Sequence, residues 1–231
     1  MSLELLDAAA QALGALVEEL VFVGGASIQL WISDPAAPPT RATDDIDVIS
    51  ATTTRVGYYR LAERLKARGF HEAIDARVIC RWNHHETGLV LDVMPQDEEV
   101  LGFSNPWYEH AIETAVEREL PSGTLIRAAT PSAIIATKLA AWKGRGRGDL
   151  LRSLDAHDVL VLIDGRPELT SELAQEPAAL RAFVAAELGK IVTDVYFRYL
   201  VESAMQPYGS RAGNRADRLA ELAATLIKRI E

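Results

Sequence analysis

Two stretches of the chain carry its most informative pattern: FVGGASIQLW at residues 22–31, followed after a gap by RATDDIDV at residues 41–48. The first stretch places two glycines between a short apolar run, residues 21–23, typical of a buried strand, and a segment with helical spacing. The second alternates acidic and apolar residues from Asp45 onward, which is the period of a strand with one polar face. Together they predict a strand, a glycine turn, a helix and a second strand.

The glycine turn is a candidate phosphate-binding site. Gly24 and Gly25 lie between the predicted strand and the predicted helix, where backbone N–H groups and the helix dipole favour an anion. Ser27 can add a hydroxyl donor to the same phosphate. The alternative is that the two glycines only make a tight connection.

Three aspartates fall on predicted strands. Asp45 and Asp47 are two residues apart, so both carboxylates project from one strand face. The neighbouring Asp44 leaves another acidic register open, and the period of two selects Asp45 and Asp47. Asp92 interrupts the apolar strand pattern at residues 88–94, where a lone carboxylate is costly unless it is paired or bound to a metal.

These carboxylates predict a metal site. Adjacent carboxylates repel each other unless a hard cation lies between them, and oxygen ligands favour Mg²⁺, with Mn²⁺ as an alternative. Beside a phosphate-binding turn, Asp45, Asp47 and Asp92 predict a two-metal phosphoryl-transfer site. Asp92 has a structural alternative, because a buried aspartate can simply pair with an arginine such as Arg81.

The hydrophobic pattern divides the chain into two parts. Strands and helices alternate through the first part, whereas the second has helical spacing throughout. We therefore predict the α/β (α+β) class, with a small mixed-sheet core at residues 1–128 followed by a helical domain at residues 129–231. The individual predictions are a helix over residues 3–20, strands at 77–82 and 88–94, a helix at 107–120, helices at 131–142 and 153–163, and a break at 206–214.

The composition excludes several classes of protein. The 231 residues include 24 Lys+Arg and 33 Asp+Glu, a net charge of −9, which argues against a generally basic nucleic-acid coat. The longest apolar stretch, residues 20–32, is shorter than the roughly 20 residues of a membrane span. The N-terminal MSLELLDAAA lacks the basic region of a secretion signal. With a single cysteine, Cys80, expected to be buried, we expect a cytoplasmic protein without internal disulfides or a membrane partner.

The motifs resemble the signature of nucleotidyltransferases of the DNA polymerase β superfamily. The resemblance rests on Gly24-Gly25-x-Ser27, a gap, and Arg41-x-Thr43-x-Asp45-Ile46-Asp47. A second block, ATKLAAWKGRGRGDLLRSLDAHDVLVLIDGRPEL at residues 136–169, is similar to that of the bacterial group related to the abortive-infection toxin AbiEii and the MenT toxins. The likeness covers most of residues 15–170.

The resemblance implies roles for the residues of the first motif. The nucleotide triphosphate would be held by Gly24, Gly25, Ser27 and Arg41, of which Arg41 would steer a phosphate or brace the loop. Asp45 and Asp47 would bind both metal ions. Asp92 would help to bind the catalytic ion and would activate the acceptor hydroxyl.

The resemblance also assigns residues of the second block. Lys138 would contact the triphosphate or assist catalysis. Either Asp155 or Asp158 would complete the nucleotide-binding block, and the sequence leaves this choice open. The helical domain would complete the cleft.

The implied reaction transfers NMP from an NTP to an acceptor hydroxyl, with pyrophosphate leaving. A toxin-like role would make the acceptor RNA, such as the 3′ end of a tRNA, and would imply an antitoxin partner. A basic run opposed only by Asp149 could guide RNA, although a solvated loop is an equal alternative. The run consists of Lys138, Lys143, Arg145, Arg147 and Arg152. The alternatives are a small-molecule acceptor such as an aminoglycoside, a protein hydroxyl, or a catalytically silent nucleotide-binding module.

Overall fold

The computed structural model describes residues 2–37, 40–73, 80–145 and 149–230. The chain forms two compact units. The first comprises Met1–Leu30 and Arg41–Thr130, and the second comprises Trp31–Thr40 and Pro131–Glu231. The predicted fold class is confirmed, because a mixed sheet with helices is followed by a helical C-terminal region.

The first unit is built on a mixed sheet. Its strands are β1 (Leu20–Val23), β2 (Asp45–Ser50), β3 (Phe70–Glu72), β4 (Arg81–His84), β5 (Val90–Pro95), β6 (Val116–Glu119) and β7 (Leu125–Ala128). Its helices are α1 (Ser2–Leu13), α2 (Gly24–Ser27), α3 (Arg55–Ala67), α4 (Glu98–Leu101) and α5 (Tyr108–Glu113). Among the described residues the seven strands have the order β3-β4-β5-β2-β1-β7-β6. The pairs β1–β7 and β2–β5 are parallel, and the other neighbouring pairs are antiparallel.

One face of this sheet forms the core of the first unit. Ile46 and Val48 of β2, together with Leu91 and Val93 of β5, have no exposed surface and belong to one hydrophobic cluster. Side chains from α1 and α3 pack into the same cluster. Because side chains alternate along a strand, the residues between them point to the opposite face. The acidic positions of β2 and β5 therefore face away from the core.

Two sequence predictions for the first unit were wrong in extent. The helix predicted over residues 3–20 ends at Leu13, because Gly14 adopts a left-handed backbone with φ +55°, and Gly14–Glu19 form a 3₁₀ helix. The helix predicted over residues 107–120 ends at Glu113. Its last part is the edge strand β6, whose antiparallel pairing with β7 overrides the local helical pattern.

The predicted hairpin strands are confirmed in part. The second, predicted at residues 88–94, corresponds to β5. The first, predicted at residues 77–82, overlaps β4, which begins at Arg81, whereas residues 77–79 lie outside the described residues. The short strand β3, which pairs with β4, was not predicted.

The second unit is helical. Its helices are α6 (Pro131–Arg145), α7 (Leu154–Gly165), α8 (Leu169–Leu173), α9 (Ala178–Thr193), α10 (Phe197–Met205) and α11 (Ala212–Ile230). The predicted helices at residues 131–142 and 153–163 are thereby confirmed, and Ser153 caps α7 by accepting a hydrogen bond from the backbone N–H of Ala156. Residues Gln206–Arg211, at the predicted break, form a 3₁₀ turn. None of the described helices is both long and apolar enough to cross a membrane.

A partly buried ionic cluster connects three segments of the second unit. Arg215 of α11 donates through Nε to both carboxylate oxygens of Asp164 in α7, at 2.9 and 3.0 Å. Its Nη2 donates to Asp34, and this hydrogen bond lowers the pKa of the Asp34 carboxyl below its usual value. The cluster therefore fixes the loop that contains Asp34 to two helices of this unit.

Cys80 provides a test of the packing in the first unit. It is the chain's single cysteine, its side chain is buried, and burial raises the pKa of its thiol to about 12. Little thiolate exists at about pH 8, so we expect Ellman's reagent to label the native protein far more slowly than the unfolded chain. Labelling is followed by absorbance, with protein in concentrated guanidinium chloride as the control. Equal rates for native and unfolded protein would contradict the burial of Cys80.

Candidate active site

The register of three neighbouring strands places charged side chains in one row. Asp47 of β2 pairs with Asp92 of β5, and Asp92 pairs with Arg81 of β4. Side chains at paired positions of adjacent strands lie on the same face of a sheet. Asp45 precedes Asp47 by two residues and therefore lies on that face as well. The three aspartates predicted from sequence thus share one face, and the row also contains an arginine.

Arg81 bridges two of the three carboxylates. Its Nε and Nη2 donate to the two oxygens of Asp92, each at 2.8 Å, and Nη2 also donates to Asp45 Oδ2 at 2.7 Å. The hydrogen bonds to Asp92, with the charges of both acids, raise the pKa of Arg81 above its usual value. The sequence had suggested Arg81 only as an alternative partner of Asp92. Its contact with Asp45 depends on the strand order and could not be read from the sequence.

Asp45, Asp47 and Asp92 offer the oxygen ligands that suit a hard cation, but their carboxylates are not grouped around a common centre. Among the described residues, no group of three His, Cys, Asp or Glu side chains is arranged to hold a metal ion. Carboxylate oxygens on neighbouring strands are nevertheless the ligands that Mg²⁺ prefers. Asp45 and Asp92 already share one cation, the guanidinium of Arg81. The chemistry of the ligands therefore suits a divalent cation, whereas in the structure the guanidinium of Arg81 is the cation that Asp45 and Asp92 share.

The glycine turn lies directly against Asp47. Gly24 has φ +74°, and a Cβ atom at this position would lie 1.9 Å from Asp47 Oδ2. Only glycine therefore allows the turn and this carboxylate to approach so closely. Ser27 is fully buried, and its hydroxyl donates to the carbonyl of Val23 at 2.7 Å. The hydroxyl proton that was predicted to reach a phosphate is engaged inside the turn.

The other nucleotide-binding candidates of the first unit are Gly25, in the helix that follows β1, and Arg41, in the loop before β2. Gly25 is buried within α2, which has only four residues and continues as a 3₁₀ turn, Ile28–Leu30. Arg41 is half-buried four residues before β2, with Nη1 3.5 Å from the carbonyl oxygen of Ala42.

The candidates of the second unit form a cluster of their own. Lys138 of α6 places Nζ 3.1 Å from Asp155 Oδ1 and 2.8 Å from Asp158 Oδ2, both on α7. Only 11% of the Lys138 side chain and 3% of the Asp158 side chain are exposed. The resemblance left open whether Asp155 or Asp158 completes the nucleotide-binding block, and in the structure the Lys138 ammonium contacts both.

The basic run is partly neutralised within the second unit. Lys143 Nζ lies 3.4 Å from the buried carboxylate of Glu187, and Arg152 Nε lies 3.6 Å from Asp149. Arg147 lies outside the described residues. Two described members of the run, Lys143 and Arg152, therefore each have a carboxylate neighbour.

Replacing Gly24 with alanine should disturb the site. Gly24→Ala adds a methyl group against the Asp47 carboxylate. We expect it to lower the free energy of unfolding by about 2 kcal/mol more than Gly102→Ala does. Gly102 is a matched control in the same unit, because its φ is +79° and nothing lies within 4 Å of its added Cβ. Urea denaturation of both variants measures the difference. Equal losses would contradict the close contact between the turn and Asp47.

Removing the Lys138 charge should destabilise the second unit. Lys138→Met leaves the buried Asp158 carboxylate without its ammonium partner, and we expect a loss of about 3 kcal/mol in the free energy of unfolding. Lys190→Met is the control, because Lys190 is exposed and its partner Glu187 keeps Lys143. The control should cost less than about 1 kcal/mol in the same urea titration. Equally mild effects would show that Lys138 is not required to balance the buried acid.

Comparison with known proteins agrees with the family resemblance of the sequence motifs. The family described as nucleotidyl transferase AbiEii toxin, type IV toxin–antitoxin system, matches residues 7–206. A search of curated proteins found no match. The matched range includes every candidate residue of both units, from Gly24 to Asp158, and confirms the resemblance drawn from the motifs. The chain belongs to the AbiEii family of nucleotidyltransferase toxins.

Proposed function

We propose that this chain is a Mg²⁺-dependent nucleotidyltransferase that transfers NMP from an NTP to an acceptor hydroxyl. Membership of the AbiEii family implies nucleotidyltransferase activity in general. The observation that carries the more specific proposal is the placement of Asp45, Asp47 and Asp92 on one sheet face, with Asp47 against the Gly24 turn. Carboxylates next to a backbone turn suit the binding of a metal–triphosphate substrate.

The proposed reaction forms one bond and breaks another at the α-phosphorus. The acceptor oxygen attacks this phosphorus, the bond to the bridging oxygen breaks, and pyrophosphate leaves with the electron pair. Asp45, Asp47 and Asp92 would hold two Mg²⁺ ions, with Mn²⁺ as an alternative, which supply charge neutralisation at the phosphates and the acceptor oxygen. A carboxylate oxygen of Asp92 would accept the acceptor hydroxyl's proton.

The remaining candidates are assigned to nucleotide binding. The backbone of Gly24 and Gly25 would face a phosphate, with Arg41 steering it. A role for the Ser27 hydroxyl would require it to exchange its bond to the Val23 carbonyl, at 2.7 Å, for a bond to the nucleotide. Lys138 would bind the triphosphate, while Asp155 and Asp158 orient its ammonium group.

We propose RNA, such as the 3′ end of a tRNA, as the acceptor, and an antitoxin as the partner of this toxin-like enzyme. The antitoxin proposal rests on the family, whose description names a type IV toxin–antitoxin system. The RNA acceptor rests on the toxin-like role that the motif resemblance implies. The basic run adds little support for RNA, because Lys143 and Arg152 have carboxylate neighbours.

Replacing Asp47 should abolish transfer. Asp47→Asn keeps the size of the side chain but removes a charged ligand, so we expect the rate to fall by at least about a hundredfold. The assay incubates the protein with each α-³²P-labelled NTP, Mg²⁺ and total bacterial RNA. Asp44→Asn is the matched control, because Asp44 lies in the same motif and is exposed. It should retain transfer.

Each outcome of this assay has a distinct meaning. Label on RNA with the wild type and Asp44→Asn, but not with Asp47→Asn, would support the proposal and identify the base. Transfer retained by Asp47→Asn would overturn the site assignment. Nucleotide binding without label on RNA would favour a small-molecule or protein acceptor, and failure with those acceptors would favour a catalytically silent module.

A further inference from the structure

Arg81 is the charged group of the row whose role the proposed reaction does not explain. It belongs to the sheet and not to a loop, because its backbone pairs with Asp92 in the β4–β5 ladder. Its side chain makes three hydrogen bonds to two of the three proposed metal ligands, Asp45 and Asp92. A guanidinium in a bidentate pair with a carboxylate is among the stronger charge-assisted contacts in proteins.

The charges of the row explain why an arginine is useful in the absence of a metal ion. Three carboxylates on one sheet face repel one another, and Asp92 is almost fully buried, with 9% of its side chain exposed. An unneutralised carboxylate at such a position is costly. The Arg81 guanidinium supplies a positive charge within 2.8 Å of both acids that it contacts.

Through the same contacts, Arg81 competes with a metal ion for the carboxylate oxygens of Asp45 and Asp92. Both oxygens of Asp92 accept hydrogen bonds from Arg81, as does Oδ2 of Asp45. A divalent cation on these oxygens would lie a few Å from the guanidinium, and two positive charges at that distance repel strongly. The Arg81 side chain is 29% exposed, so its guanidinium has solvent into which it can move.

We propose that Arg81 is the internal counter-ion of the metal-free site, and that its guanidinium must leave Asp45 and Asp92 before a divalent cation can bind there. This inference rests on the proposed function, because it takes these aspartates to be metal ligands. It makes Arg81 a positioning residue that sets the affinity of the site for metal. The resting protein then keeps its carboxylates neutralised, and metal binding includes the cost of breaking three hydrogen bonds.

Removing the Arg81 charge should therefore tighten metal binding. The probe is Mn²⁺ without nucleotide, with free Mn²⁺ measured by electron paramagnetic resonance. We expect Arg81→Gln to lower the Mn²⁺ dissociation constant by about tenfold or more. Arg81→Lys, which keeps a charge but loses the bidentate contact, should lower it by less. Binding to Arg81→Gln that is unchanged or weaker than binding to the wild type would overturn the inference.

Arg64→Gln is the matched control. Arg64 also makes a bidentate pair with a carboxylate in the first unit, Glu19, but on the exposed surface. Its replacement should leave the Mn²⁺ dissociation constant unchanged. An equal gain in affinity from Arg64→Gln would show that total charge, and not the bridge of Arg81, sets the affinity, and would overturn the inference.

Thermal denaturation covers the case in which Arg81→Gln folds poorly without metal. We expect the variant to have a lower Tm than the wild type in a chelator and a larger rise in Tm on addition of Mn²⁺, since the metal replaces the lost cation. A rise no larger than that of the wild type would overturn the inference. If Arg81→Gln remains unfolded in Mn²⁺, the binding titration of Arg81→Lys decides: tighter binding than the wild type supports the inference, and equal or weaker binding overturns it.

Asp47→Asn separates this inference from the proposed function. If Asp47→Asn binds Mn²⁺ as tightly as the wild type does, the proposed metal site itself is wrong and both proposals fail. If Asp47→Asn weakens binding but Arg81→Gln does not strengthen it, only the role of Arg81 fails.

Discussion

The backbone register between β2, β5 and β4 is the constraint on which the site of the first unit depends. It pairs Asp47 with Asp92 and Asp92 with Arg81, so that the hydrogen bonds of the sheet determine which charged side chains become neighbours. A shift of one residue in β5 would turn Asp92 toward the core and would bring Leu91 or Val93 to the polar face. The apolar side chains that alternate with the acids resist this shift, because they are fully buried. The core thus fixes the chemistry of the opposite face.

The balance of charge in that row follows from the same register. Carboxylates that lie close together on one sheet face repel one another and destabilise the folded protein unless a positive charge is near. An arginine on the adjacent strand offsets this repulsion, since it contacts Asp45 and Asp92 together. The close approach of the Gly24 turn to Asp47 adds a second requirement, for a residue without a side chain. Site residues on four neighbouring segments therefore depend on one another, although they are far apart in the sequence.

In the second unit, ion pairs with little exposed surface likewise hold segments together that are distant in the sequence. Lys138 is enclosed between two aspartates of α7, and Arg215 is enclosed between Asp164 and Asp34. Removing one member of such a buried pair costs more than removing an exposed ion pair. Lys138 therefore links α6 to α7 through these ion pairs. Its proposed role in nucleotide binding is best tested with stability and transfer measured together.

The sequence by itself determined the family, the fold class and the site candidates, because the glycine turn, the alternating acids of β2 and the acid in β5 are local patterns with clear physical meaning. It also indicated α6 and α7 from their caps and spacing. It could not predict β6, whose residues 116–119 are held in a strand by pairing with β7. Nor could it show that Arg81 reaches Asp45 as well as Asp92, or that Lys138 contacts both aspartates of α7. Those contacts were decided only by the tertiary structure. They depend on strand order and helix packing between segments that are distant in the sequence, and hydrophobic periodicity describes only residues that are close in the sequence.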